Sequence, residues 1–338
     1  MPARVLAPVV VAIALAAATP ARADGRVQVA PTVVRPGDAV LVRVAPPPAG
    51  GLPAEGITLA GRPLRFWSHG EEAWAVGALP IETPPGSVTV EVVEGTPDQV
   101  RSSAVLRVVD AGFPSKALRV APAFVTPPES VQARIAKDRA AFAAAYASVR
   151  PGPPLFSGSF AWPHPGLHGG RFGDQRTFNG KKESVHYGLD IDAPRGAPVR
   201  AANDGQVILA RDCYFSGKTV VISHGADLYT LYFHMDRLTV RKGDRVRQGD
   251  RLGIVGSTGR STGPHLHWSA KVGDLYVDPE SLMAIDFVAG TAPPRRAGPP
   301  ADRAGPSPEE PPAAAPGAPA PTVAVPAPSE ATVPAPQR

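Results

Sequence analysis

The sequence predicts an all-β protein: two β-rich parts joined by one helix and followed by an unfolded tail. Three observations carry this. Short β-branched runs recur over residues 25–110 and again over 155–285, each bounded by Gly/Pro turn signals. Only residues 129–148 show clear helical spacing. From about 290 the chain is Pro, Ala and Gly with scattered charge, a composition that buries too little apolar surface to fold. The expected organisation is a leader over 1–23, a small Ig-like β-sandwich over 24–112 and a helical connector over 113–154. An antiparallel β domain over 155–286 and a disordered tail over 287–338 complete it.

The start of the chain reads as an export signal. Arg4 gives a short positive start, Leu6 to Ala18 is apolar apart from Pro8, and Ala21-Arg22-Ala23 fits a small-residue cleavage site. The mature protein is expected to begin near Asp24 in the periplasm, outside the cell or at the cell wall. The apolar run is short of the roughly 20 residues a span needs, so no stable membrane insertion is expected after its removal. Net charge is +5; removing Arg4 and Arg22 leaves 5 − 2 = +3. With no dense basic run, nucleic acid is not an expected partner. The single cysteine, Cys213, excludes an intramolecular disulfide and reads as a small core residue.

In the first β part, Val40 to Val44, Ser87 to Val93 and Val105 to Val109 are strand runs, with Phe66, Trp67 and Trp74 expected in the sandwich core. The helix starts at Glu129 and places Val131, Ile135, Phe142 and Tyr146 on its apolar side. Lys137, Asp138 and Arg139 form its polar face. In the second part, Val207 to Ala210, Thr219 to Ile222 and Tyr229 to Phe233 are strands punctuated by glycines, as in an antiparallel sheet with tight turns.

The chemistry lies in the histidines. There are eight: His69, His164, His168, His186, His224, His234, His265 and His267. In Val185-His186-Tyr187-Gly188-Leu189-Asp190, strand alternation puts His186 and Asp190 on one face with Gly188 between them, and Leu189 and Ile191 on the other. In Pro264-His265-Leu266-His267-Trp268 the two histidines share a face and Leu266 and Trp268 point inward. His186, Asp190 and one member of the His265/His267 pair supply three protein ligands. Three ligands with a fourth position open is the arrangement of catalytic zinc, whereas structural sites are closed by four, often with Cys. Water at such an ion is acidified toward neutral pH and can attack a carbonyl. The remaining histidines would act as general base and transition-state stabiliser. Asp192 is set aside as a ligand on strand parity.

At these residues the sequence resembles the lysostaphin-like, LytM-type zinc peptidases. The matching strings are His186-Tyr187-Gly188-Leu189-Asp190, Ala193-Pro194-Arg195-Gly196-Ala197-Pro198-Val199 and Asp204-Gly205-Gln206-Val207. Thr230-Leu231-Tyr232-Phe233-His234, Val240-Arg241-Lys242-Gly243-Asp244 and Gly256 through His267 follow in the same order. The match spans roughly residues 170–283. The resemblance implies a duplicated hybrid motif-like β domain with a groove. It implies one zinc ion on His186, Asp190 and His267, and His234 and His265 as the catalytic pair. It implies peptidoglycan as substrate, cut at its peptide cross-links. Trp268-Ser269 departs from the Phe-Glu that relatives usually carry. In some relatives an Asn at the position of Asn179 reaches the metal in an inhibited form. Some members lack the ligands and activate other wall hydrolases without catalysis; all five key residues are present here, which favours an enzyme.

Four further residues are candidate contacts. Tyr232, two residues before His234, is placed on the same side, as an oxyanion donor or as aromatic core. Ser257, Thr258 and Thr262, in the glycine-rich loop, are substrate contacts or turn residues. That loop lacks the Gly-Lys-Ser/Thr ending of a phosphate cradle. His224 reads as structural, His164 and His168 as solvated loop residues, and His69 as a surface turn residue.

Overall fold

The computed structural model describes residues 26–45, 57–93, 101–118, 125–166, 168–180, 182–261 and 263–296. The expected leader, Thr262 and most of the expected tail lie outside them. No helix among the described residues is long and apolar enough to cross a membrane.

The first part is a sandwich of two sheets. One orders β1 (Val27–Ala30), β3 (Ala39–Val44), β7 (Glu72–Ala78) and β6 (Trp67–His69). The other orders β2 (Val33–Val34), β9 (Arg101–Val108), β8 (Gly86–Val93), β4 (Ile57–Leu59) and β5 (Arg62–Pro63). Burial on both faces explains the apolar run Ala39 to Val42 in β3. Val40, Val42 and Val44 face Leu59, Val90 and Leu106 of the opposite sheet, while Ala39 and Leu41 face the other way. That other face is also covered. Trp67, Trp74 and Val76 pack with Phe156, Phe160 and Phe287 of the second half, and the Trp67 and Phe156 rings meet edge-on with centroids 6.5 Å apart. Trp67 and Trp74 are therefore not sandwich core as expected. They belong to the seam between the two halves, and only Phe66 packs on the sandwich core.

The connector begins with a strand that the sequence reading missed. β10 (Ser115–Leu118) pairs in parallel with β12 (Gln175–Phe178), which pairs with β13 (Lys182–Val185). The helix follows as α1 (Glu129–Ala147). Asp138 is not on a solvated face. It is buried, accepts from Arg211 Nε at 3.0 Å and from the Tyr214 backbone N–H at 2.7 Å, and so ties the helix to the sheet.

The second half is one large antiparallel sheet. Its main path runs β11 (His168–Gly170), β14 (Leu189–Asp192), β21 (His265–Val272), β18 (Leu228–Leu238), β17 (Gly217–Ser223), β16 (Gly205–Cys213) and β19 (Arg245–Val246). β15 (Pro198–Arg200), β20 (Arg251–Val255) and β22 (Leu275–Val277) join from the side, and a short α2 (Pro279–Met283) follows. One face buries Leu189, Ile191, Val220, Ile222, Leu266 and Trp268. On the opposite face Leu209, Val221, Tyr229, Leu231 and Phe233 pack under Phe142, Ala145 and Tyr146 of α1. Cys213 is buried in β16, and burial pushes its thiol up to about 11, as suits an inert core residue. His168 places its backbone in β11 opposite Ile191, rather than in a loop. His164 bonds the Pro198 carbonyl at 3.0 Å.

Ordered chain also continues past the expected start of the tail. Phe287 is buried, the Arg295 N–H donates to the Val33 carbonyl at 2.8 Å, and the Arg295 guanidinium meets Asp278 at 2.5 Å and Asp38 at 3.4 Å. The end of the second half is thus clasped onto the first. The Asp138 anchor gives a direct check. Asp138→Ala leaves a buried N–H without an acceptor and should lower unfolding free energy by about 1–3 kcal/mol in urea titration; a change within about 0.5 kcal/mol, the usual span for a surface site, would refute the anchoring role.

Candidate metal and catalytic site

The site forms where β14 crosses to β21. Their register sets Asp190 opposite His267, Leu189 opposite Trp268, Ile191 opposite Leu266 and Asp192 opposite His265. Directly opposed residues share a face, so Asp190 and His267 meet on one side while their apolar neighbours enter the core on the other. His186 arrives differently. It lies after β13 and before β14, outside both strands, and its Nδ1–H donates to the Arg171 carbonyl at 2.8 Å. The alternation argument for His186 is therefore replaced by a loop that aims its ring.

Three atoms converge. His186 Nε2 is 3.1 Å from Asp190 Oδ1 and 3.0 Å from His267 Nδ1, and His267 Nδ1 is 2.8 Å from Asp190 Oδ1. All three side chains are buried. A tetrahedral ion with bonds of about 2.0–2.2 Å sets its ligand atoms roughly 3.3 Å apart, so this triangle fits a metal. The protons agree: with Nδ1 of His186 committed to a carbonyl, Nε2 carries the lone pair a metal needs. His267 Nε2 bonds Ser269 Oγ at 2.9 Å, which leaves its Nδ1 for the same role. Asp190 turns Oδ2 to Arg176, 3.3 Å away. Burial alone would raise this carboxyl, but the neighbouring His186 and His267 rings hold it well below the usual 3.8.

His265 and His234 flank the trio, their ring centroids 4.9 Å apart. His265 Nδ1 donates to the Gly263 carbonyl at 2.9 Å, and its Nε2 is buried with no hydrogen-bond partner, 3.8 Å from Asp190 Oδ1. His234 Nδ1 donates to the Thr258 carbonyl at 2.8 Å. Burial and neighbouring histidines push His234 down to about 3, and burial first among several causes pushes His267 to about 4, so both are neutral near pH 7.

The structure brings His186, Asp190, His267, His265 and His234 together, and it corrects Tyr232. His234 has φ +61°, and between the pairs Tyr232–Val220 and Met235–Lys218 β18 holds two residues, Phe233 and His234, against the single Thr219 of β17. This bulge breaks alternation. Tyr232 turns into the core, fully buried, and its hydroxyl accepts from the Ala202 N–H and from Thr230 Oγ1, both at 2.9 Å. Phe233 takes the site-facing place, its ring stacked on His267 at 5.2 Å. The bland alternative weighed for Tyr232, aromatic core, is what the fold adopts. Asp192 shares the face of Asp190, two rungs along, so parity does not separate them; it is exposed and outside the trio.

Asn179 takes a left-handed turn position, φ +53°, at the tip of the β12–β13 hairpin, at the opposite end from Val185 where the chain enters His186. Thr258 orients rather than faces outward: its hydroxyl donates to the Met235 carbonyl at 2.6 Å and accepts the Lys218 N–H at 2.9 Å. His224 is a buried structural histidine, bonded to the Asp204 carbonyl and Thr230. Exposed His69 stacks on Trp74. Two supporting residues escaped the sequence reading, Arg176 and Ser269. A lone arginine in a strand leading to the first ligand was the available signal for one. Its i+2 position after His267 was the signal for the other.

An antiparallel β domain with a buried His-Asp-His trio and two further histidines defines a metallopeptidase-type site. Residues 184–279 match the family model described as peptidase family M23, in keeping with the lysostaphin-like resemblance. Peptidoglycan DD-endopeptidase ShyA of Vibrio cholerae is 43% identical over 88 residues, 26% of this chain and 20% of its own length. DD-carboxypeptidase/endopeptidase Mpg of Neisseria meningitidis is 43% identical over 98 residues, 29% of this chain and 23% of its own. The chain thus spans about a fifth to a quarter of these curated relatives. A solved Pseudomonas aeruginosa chain assigned to peptidase M23 superposes with TM-score 0.52 at 27% identity, over 73% of this chain and 93% of that one.

Gly188 tests the packing of the trio. A Cβ there would lie 2.6 Å from Ser269 Oγ and 2.7 Å from His267 Nε2. Gly188→Ala should weaken divalent-metal binding by about tenfold or more, the size of other losses in a ligand's support. Competition with a chromophoric chelator measures this, and unchanged affinity would show that the trio tolerates the displacement.

Proposed function

We propose that this protein is an exported, zinc-dependent endopeptidase that hydrolyses peptide cross-links of bacterial peptidoglycan. The observation that carries the reading is the convergence of His186, Asp190 and His267 beside His265, whose buried Nε2 has no hydrogen-bond partner among the described residues. The relatives named as peptidoglycan endopeptidases support the substrate class. The apolar N-terminal run of the sequence supports export.

His186, Asp190 and His267 would hold the ion; the N/O donor set suits zinc. When bound, zinc supplies Lewis acidity, polarising a carbonyl and acidifying water. The chain supplies the proton traffic. Both His265 and His234 anchor Nδ1–H on a backbone carbonyl, which leaves Nε2 of each ring for the reaction. Burial and its neighbouring histidines keep His234 neutral, so it starts as a base rather than a donor. His265, whose Nε2 is unengaged and nearest Asp190, takes the proton of the attacking water. The imidazolium so formed is the donor that can protonate the leaving amine. Arg176, 3.3 Å from Asp190 Oδ2, orients that carboxylate.

His265→Ala should retain stoichiometric zinc yet release cross-linked stem peptides from purified peptidoglycan about 10²–10⁴-fold more slowly, the usual worth of a positioned acid–base group. Metal analysis and mass spectrometry of the digest check the two parts. A protein that binds no zinc and leaves cross-links intact would contradict the proposal and favour a non-catalytic activator.

A further inference from the structure

Lys271 is a buried cation that the proposed reaction does not use. It lies on β21 four residues after His267, and strand alternation puts it on the same face as His265, His267 and Ser269. Its side chain is only 5% exposed. The ammonium sits over two rings, 4.5 Å from the Tyr146 centroid and 5.0 Å from that of Tyr276. The Lys271 ammonium makes no ion pair or hydrogen bond among the described residues. The nearby acid, Asp274, is engaged by Arg62 at 2.7 Å. Ring faces attract an ammonium but do not neutralise it, and a buried charge without a counter-ion is costly. Burial lowers this lysine to about 8.

The cage borders a cavity of about 150 Å³ between α1 and the sheet, whose lining includes Phe142, Tyr146, Phe215, Lys271 and the charged Asp138 and Arg139; the Asp138 carboxylate is already engaged, by Arg211 Nε and the Tyr214 N–H. A second polar group is unsatisfied there: the Tyr146 hydroxyl is buried with no hydrogen-bond partner. The cavity adjoins the metal site. The Ser216 carbonyl accepts the His234 backbone N–H at 2.9 Å, so the wall that holds His234 is also a wall of the cavity. Along β21, four residues separate His267 from Lys271, about 13 Å at 3.3 Å per residue, a distance an extended peptide crosses in about four residues.

We propose that this cavity is a carboxylate subsite, in which Lys271 pairs with a free carboxylate of a peptide substrate and the Tyr146 hydroxyl donates to the same group. This rests on the peptidase reading and deepens it: the enzyme selects strands whose free carboxylate lies about four residues from the bond cut. The surrounding rings take the apolar part of the residue bearing that carboxylate. Lys271 is a specificity residue, distinct from the groups that move protons.

The test is isothermal titration of the full chain, in the His265→Ala background so that no probe is cleaved. The probes are an N-acetylated tetrapeptide ending in D-Ala with a free carboxylate and the same peptide as its C-terminal amide. The acid should bind at least tenfold tighter than the amide. Adding Lys271→Met, which keeps the apolar stem, should bring the two affinities within twofold, and Lys271→Arg should restore part of the preference. Equal or absent binding of acid and amide, or a preference that survives Lys271→Met, overturns the proposal. A purely structural lysine would lower melting temperature in Lys271→Met and weaken both peptides alike; that result also overturns it. Digestion of peptidoglycan by the unaltered protein reports separately on the peptidase reading, so failure of one is not mistaken for failure of the other.

Discussion

The pairing of β14 with β21 holds Asp190 directly across from His267. That rung buries a carboxylate and an imidazole together on one face while Leu189, Ile191, Leu266 and Trp268 are sealed in the core on the other. A slip of one residue would send both ligands into the core and four apolar side chains out, so the hydrophobic pattern that folds the sheet also sets the metal-ligand geometry. His186 depends on the same rung, since its Nε2 has two neighbours in the trio and both belong to it. The cost of burying these polar groups is met by the committed outer contacts: Arg171 and Gly263 carbonyls, Ser269 and Arg176.

A second constraint is the bulge at His234. The left-handed backbone there, with one extra residue in β18, lets His234 join a face that alternation would deny it. Non-glycine residues seldom adopt this conformation, and strain of this kind persists where the surroundings over-determine it. Here they do: the backbone N–H bonds Ser216 and the ring bonds Thr258. The same bulge turns Tyr232 into the core and brings the Phe233 ring against His267.

Much of this was legible in the sequence, for a physical reason. Paired histidines around a leucine, and a His and Asp around a glycine, are patterns that core packing alone does not explain, and the structure brings those residues together. What was not legible depended on departures from regular geometry. Nothing local marks the bulge at His234, so parity misplaced Tyr232. Asp138 reads as a polar-face residue until its partners, Arg211 and the Tyr214 backbone, are known to lie against the helix. Trp67 and Trp74 look like sandwich core because a sequence does not say that the sheet's outer face is covered by a second unit. The parallel pairing of β10 with β12 joins residues about 60 apart and leaves no short-range trace.

The chemistry of the site depends on the identity of the three ligands. X-ray absorption at the zinc edge of purified protein measures this directly. Two imidazole nitrogens and one carboxylate oxygen at about 2.0–2.2 Å are predicted, with that signature lost in Asp190→Ala. A sulfur scatterer at about 2.3 Å, or a spectrum unchanged by Asp190→Ala, would place the metal elsewhere and contradict the account.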